Sequence, residues 1–153
     1  MAMISGEDII RSVQTYWRDT FSPAVTTVYP GQQVETSQLT DWVELWIDAW
    51  NDRLRRDGAP DELLVSITVH CFSRHPTQTT QVQALADGAR GVLARKLISI
   101  IDFSMSGTPV VAQLRTREAE TRDLTRSHGE ATRGVLHHVV VMVTAVVQED
   151  VAS

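Results

Sequence analysis

"WVELWIDAW", residues 42–50, sets tryptophans at positions 42, 46 and 50. A spacing of four puts all three on one face of a helix, and equally on one face of a strand, because four is also a multiple of two. On a helical wheel Leu39, Val43, Trp46, Trp50 and Leu54 form an apolar stripe opposite Thr40, Glu44, Asp48 and Asn51. As a strand, Val43, Leu45, Ile47 and Ala49 form an apolar face, and Trp42, Glu44, Trp46, Asp48 and Trp50 form a mixed one. Periodicity alone leans slightly to the helix. Tryptophan and β-branched enrichment favours the strand. So does the sequel: "RRDGAPDE", with Asp57-Gly58 and Pro60, leads directly into "LLVSITVHCF". Two runs of matching length around a turn predict a long β-hairpin, with residues 42–53 as its first strand.

In the second run Val65, Ile67, Val69 and Cys71 alternate with Leu64, Ser66, Thr68, His70 and Phe72. Upstream, "SGEDIIRSVQTYWRDTF" reads as a helix. Ser5 is its candidate cap, Asp8 stands at the capping-box position, and Ile4 and Ile9 have the spacing of a hydrophobic staple. "AVTTVYPG" reads as a short strand or extended arm. Downstream, "QVQALADGARGVLARKLISII" carries helical spacing from Val82 to Ile100, with Thr79 or Thr80 as cap. Gly88 and Gly91 in that helix suggest close packing on a sheet. "VVAQLRTREAETRDLTR" starts as a strand and becomes charged. "VLHHVVVMVTAVV" is apolar on both faces, which predicts a central strand. The order predicts an α+β fold, a mostly antiparallel mixed sheet with two main helices on one face. Residues 1–153 are expected to form a single domain.

The net charge of −5 disfavours a protein that grips nucleic acid, which needs a basic face. No apolar run reaches the roughly 18 to 20 residues of a membrane span, and "MAMISGEDII" lacks the features of a secretory signal. One cysteine, Cys71, excludes an internal disulfide and suits a reducing compartment.

Chemical motifs are scarce. His70 and Cys71 are adjacent, as are His137 and His138, so on strands each pair points to opposite faces. His75 and His128 fall in loops, and no pair has the spacing of a closed zinc site. No metal is expected on these residues and no cofactor is implied. Cys71 falls on an apolar strand face, where a thiol is inert. There is no nucleophile elbow and no glycine-rich phosphate loop, so no enzymatic activity is expected.

Two stretches remain as candidate contact surfaces. Trp42, Glu44, Trp46, Asp48 and Trp50 mix aromatic rings with carboxylates, which suits a partner surface better than a core. At least one ring is expected to meet another chain or a covering loop. Arg115, Arg117, Glu118, Glu120, Arg122, Asp123 and Arg126 mix both signs. They form either a solvated strand end or a charge surface that sets register between subunits.

The runs "DWVELWIDAW", "LLVSITVHCFSR", "ALADGARGVLARKL", "SGTPVVAQLRTREAETRDLTR" and "LHHVVVMVTAVVQED" together resemble the tail terminator proteins of long-tailed bacteriophages, over about Ser5 to Asp150. The resemblance is in the order of elements and brings no catalytic residues. It implies a mixed sheet with helices on one side and a subunit of a hexameric ring. Such a ring caps the tail tube, stops its polymerisation and meets the head connector. It implies a virion protein at the head–tail junction, with tail tube protein and connector as partners and a lumen through which DNA passes unbound. The alternatives are a head-completion or stopper protein of the same neck, and a small cytoplasmic α+β ligand-binding domain or enzyme.

Overall fold

A computed structural model describes residues 4–52, 62–75, 78–125 and 136–149. Its elements in chain order are α1 (Gly6–Thr20), β1 (Thr26–Val28), β2 (Asp41–Asp52), β3 (Glu62–Ser73), α2 (Thr80–Leu93), β4 (Leu97–Ile101), β5 (Val110–Asp123) and β6 (His137–Glu149). The six strands form one sheet in the order β1-β2-β3-β6-β5-β4. The β1–β2 pair is parallel and the others are antiparallel, so the fold is α+β with a mixed sheet.

The tryptophan segment is a strand. It pairs with β3 from Asp41 opposite Ser73 to Asp52 opposite Leu63. The expected turn at Asp57–Pro60 lies outside the described residues. Strand wins over helix because the hairpin buries Val43, Leu45 and Ile47 beside Val65, Ile67, Val69 and Cys71. Together with Val139, Val141, Val143, Ala145 and Val147 of β6 they form the sheet side of the core. Ile9, Val13 and Trp17 of α1 and Val82, Leu85, Ala86, Ala89 and Leu93 of α2 form the helix side.

The second helix is shorter than its period suggests. It stops at Leu93, and residues 97–101 form β4. Arg95 takes a left-handed φ of 56°, which few non-glycine residues adopt, and the chain reverses there. The Thr116 hydroxyl of β5 fixes the turn, accepting from the Lys96 N–H at 2.7 Å and donating to the Leu93 carbonyl. Leu97 to Ile101 mixes with the helical period because Leu97 and Ile100 suit both patterns. Capping also differs from expectation. Neither Ser5 nor Thr79 makes a side-chain cap bond, and Asp8 accepts from the Phe103 N–H at 3.3 Å instead. A Cβ on Gly88 would meet Phe21 and Pro23 at 3.3 Å, so the close approach is to the segment after α1, while Gly91 has open space around it.

Helix α1 bonds to both outermost strands. Ser12 Oγ accepts from the Ile101 N–H of β4 at 2.9 Å, and the Trp17 indole donates to Thr27 Oγ1 of β1 at 3.0 Å. Both helices pack on one side of the sheet, its inner side. Strand β6 is central, between β3 and β5. Its outer face is less buried than expected: Val140 is 4% exposed, Met142 and Val146 are half-buried, and Thr144 is exposed.

Candidate functional site: the outer face of the sheet

Register assigns the outer face in rows, because directly paired residues point the same way. At one end Trp42, Phe72 and His138 form a row; next come Glu44, His70, Val140 and Arg122; then Trp46, Thr68, Met142 and Glu120. Towards the other end lie Leu64, Val146, Arg115 and Leu97, followed by Glu62, Gln148, Gln113 and Ser99.

Between these two halves both flanking strands bulge. Strand β2 shifts register between Ile47 and Ala49, and β5 between Thr116 and Ala119. Ile67 and Val143 pair with Ile47 and Ala119 just on one side of the shifts, while Ser66 pairs with Ala49 and with Thr144 on the other. The two bulges are therefore level with each other across the central β3–β6 pair. A bulge bends its strand and increases local twist, so both flanking strands bend at the same level.

The β2 bulge shifts the backbone register beyond Ile47. An unbroken register would set position 50 opposite Leu64; the structure sets Trp50 opposite Val65, a core residue. Ala49 correspondingly falls opposite Ser66, out of line with Val43, Leu45 and Ile47. The side chains of Asp48 and Trp50 lie outside the description. Trp42 and Trp46 do share the outer face, with different fates. Trp42 is 3% exposed and Trp46 is 39% exposed. Trp42 stacks on Phe72 with ring centroids 4.9 Å apart, and Phe72 on His138 at 4.4 Å. The Arg74 guanidinium lies 4.8 Å from the Trp42 ring centroid and donates to the Ser37 carbonyl. Aromatic stacking and cation–π contacts thus cover that ring from the protein's own chain.

Histidines gather at this end, which residue spacing alone did not reveal. His70 Nδ1 lies 2.9 Å from His138 Nε2; one neutral ring donates the proton and the other accepts it. Burial, and then the charge of His70, push His138 below the usual histidine value, against the opposing pull of Glu44 and Asp123. On the inner face, Asp41, Ser73 and His137 form the last row. His137 is 6% exposed, with Nε2 3.1 Å from the His75 carbonyl oxygen. The Nδ1 atoms of His75 and His137, Asp41 Oδ1 and, on the outer face, Trp42 Nε1 are buried without a hydrogen-bond partner. Among the described residues no group of three is placed to hold a metal ion. His128 lies outside them. Cys71 is buried in the core, and burial pushes its thiol up to about 12.

The charged stretch spreads over β5. Arg115 and Arg117 line a depression of about 240 Å³ with Glu62, Leu97, Gln113, Val146 and Gln148. Glu118 pairs with Arg95 at 3.5 Å, both well exposed, a contact worth little to stability. Glu120 lies opposite Met142 and Arg122 opposite Val140, both exposed. Asp123 accepts from the Thr125 N–H at 2.8 Å, and hydrogen bonds from Thr125 hold its carboxyl below the usual range. Arg126 lies outside the described residues. Structure therefore brings Trp42, Glu44 and Trp46 of the first stretch and Arg115, Glu120 and Arg122 of the second onto one face, on the two strands that flank the central pair, while Asp123 pairs with Val139 in an inner-face row.

No protein-family model and no curated protein matches the chain. A solved structure superposes on 98% of this chain and 100% of its own, with a TM-score of 0.68 and 11% sequence identity. At that identity the likeness shows the fold alone.

Proposed function

We propose that this chain is a ring-forming structural subunit of the tail terminator kind, which caps a phage tail tube, ends its polymerisation and meets the head connector. The observation that carries the assembly reading is the asymmetry of the outer sheet face. Its β2 flank presents the exposed Trp46 beside Glu44, and its β5 flank presents Arg115, Arg117 and Arg122. Among the described residues these three arginines have no ion-pair partner. A closed ring needs two different surfaces on each subunit that complement one another, and an aromatic flank carrying Glu44 opposite a mixed-charge flank with three arginines unpaired among the described residues supplies such a pair. The narrower assignment to a hexameric terminator at the head–tail junction rests on the sequence resemblance, with which the mixed sheet and one-sided helices agree. The net charge of −5 suits a lumen that releases DNA, since phosphate contacts would retard it.

Negative-stain microscopy with light scattering tests the reading. Rings with a central hole, and tail tubes of fixed length in the protein's presence, are expected. A chain that stays monomeric at high concentration and in the presence of tail tube protein overturns it.

A further inference from the structure

The depression at the arginine end is too small for a typical cofactor. Clefts for drug-sized ligands measure roughly 300 to 1,000 Å³, against about 240 Å³ here. It suits one or two protein side chains. Its rim is apolar at Leu97, which is 59% exposed, and at Val146. Its walls carry Arg115 and Arg117, which have no carboxylate partner among the described residues. The carboxylate already present, Glu62, accepts from Gln148 Nε2 at 2.9 Å. An indole with a carboxylate two residues away would satisfy both the rim and the walls. The β2 flank of the same chain offers that pair in Glu44 and Trp46, which share the outer face.

We infer that the depression seats the Glu44–Trp46 edge of a second copy of this chain, with Trp46 against Leu97 and Val146 and Glu44 between the two arginines. The occupant rests on the ring reading; the depression itself does not. Alternate residues of a strand stand about 6.7 Å apart. Glu44 and Trp46 on one strand are therefore close enough to enter one depression together. Guanidinium groups receive carboxylates in a fixed forked geometry, and tryptophan is enriched among the residues that anchor interfaces. Because donor and acceptor lie on opposite flanks, the contact is head-to-tail and can close into a ring.

The test uses the full chain, with light scattering for assembly and circular dichroism for folding. The double variant Arg115→Glu, Arg117→Glu is expected to associate at least tenfold more weakly than wild type while keeping its fold. Trp46→Ser should weaken association similarly. Adding Glu44→Arg to the double variant restores opposite charges across the contact, and association should recover most of the loss. Wild-type rings that persist unchanged in the double variant overturn the seat and leave the ring reading standing. A dimer that is still abolished by the double variant keeps the contact and removes the ring. If the double variant assembles normally but loses binding to a short DNA duplex, the depression serves phosphate and the inference fails.

Discussion

The two ends of the outer face solve opposite problems. At the histidine end the chain covers its own ring faces: Trp42, Phe72 and His138 stack, Arg74 lies over the indole, and His70 and His138 share a hydrogen bond, while Trp42 Nε1 stays buried without a hydrogen-bond partner. At the arginine end Arg115, Arg117 and Leu97 project around a depression without such closure. Groups that are already paired contribute to the stability of the monomer, whereas groups left unpaired on the surface are available to a partner. Residue type does not separate the two roles, since both ends hold arginines. What separates them is whether a neighbouring strand supplies the complement.

Several measurements can break that distinction. The largest effect is a reference point in the core beneath both ends. Val141→Asp puts a charge at a fully buried position of β6, at a cost of several kcal/mol, and no soluble folded protein is expected. Next, Trp42→Ala should destabilise the monomer by about 3 kcal/mol in urea unfolding, because the ring is buried and stacked. A loss below about 1 kcal/mol, the usual scale of a surface substitution, would show the histidine end to be no more closed than its counterpart.

Acid should also act at the closed end. His138 is held below its ordinary value of 6.5 in the folded chain, first by burial. The unfolded chain therefore takes up that proton more readily, and its contribution to stability is present above about pH 6.5 and declines as pH falls through that value. Unfolding midpoints at pH 7.5 and 5.5 should show the loss, and His138→Gln should reduce it. An equal loss in the variant would place the acid sensitivity elsewhere. The smallest effect belongs to the open end. Arg115→Glu with Arg117→Glu should shift monomer stability by no more than about 0.5 kcal/mol, while association changes strongly. If stability and association fell together, the arginines would belong to the fold as well as to the contact.

Much of this architecture was legible in the sequence because burial on one face imposes a period. Strand β3 alternates cleanly, β6 is apolar enough to require a central place, and α1 has an unbroken helical stripe. The end of α2 was not legible, since Leu97 and Ile100 continue the helical count and only the Thr116 clasp and the reversal at Arg95 end it. The outer face was legible only in part. Trp42 and Trp46 fall together as alternation requires, but the backbone register shifts near Asp48, and nothing in the local composition marks that shift. The histidine cluster was hidden for a related reason. His70 and His138 are 68 residues apart in the chain, and they meet only through the register of β3 against β6, which spacing within either strand cannot disclose.

Helix α1 fastens the two margins of the sheet, through Ser12 to β4 and through Trp17 to β1. One lesion can therefore unlatch both at once. An exposed strand margin is a template for another chain's strand, and a molecule with two such margins can recruit at either side. Damage to α1 is then expected to show itself as open-ended polymerisation rather than as simple loss of structure. In a subunit whose proposed work is to bring a growing tube to a halt, the same helix would stand between an assembly that closes and one that does not.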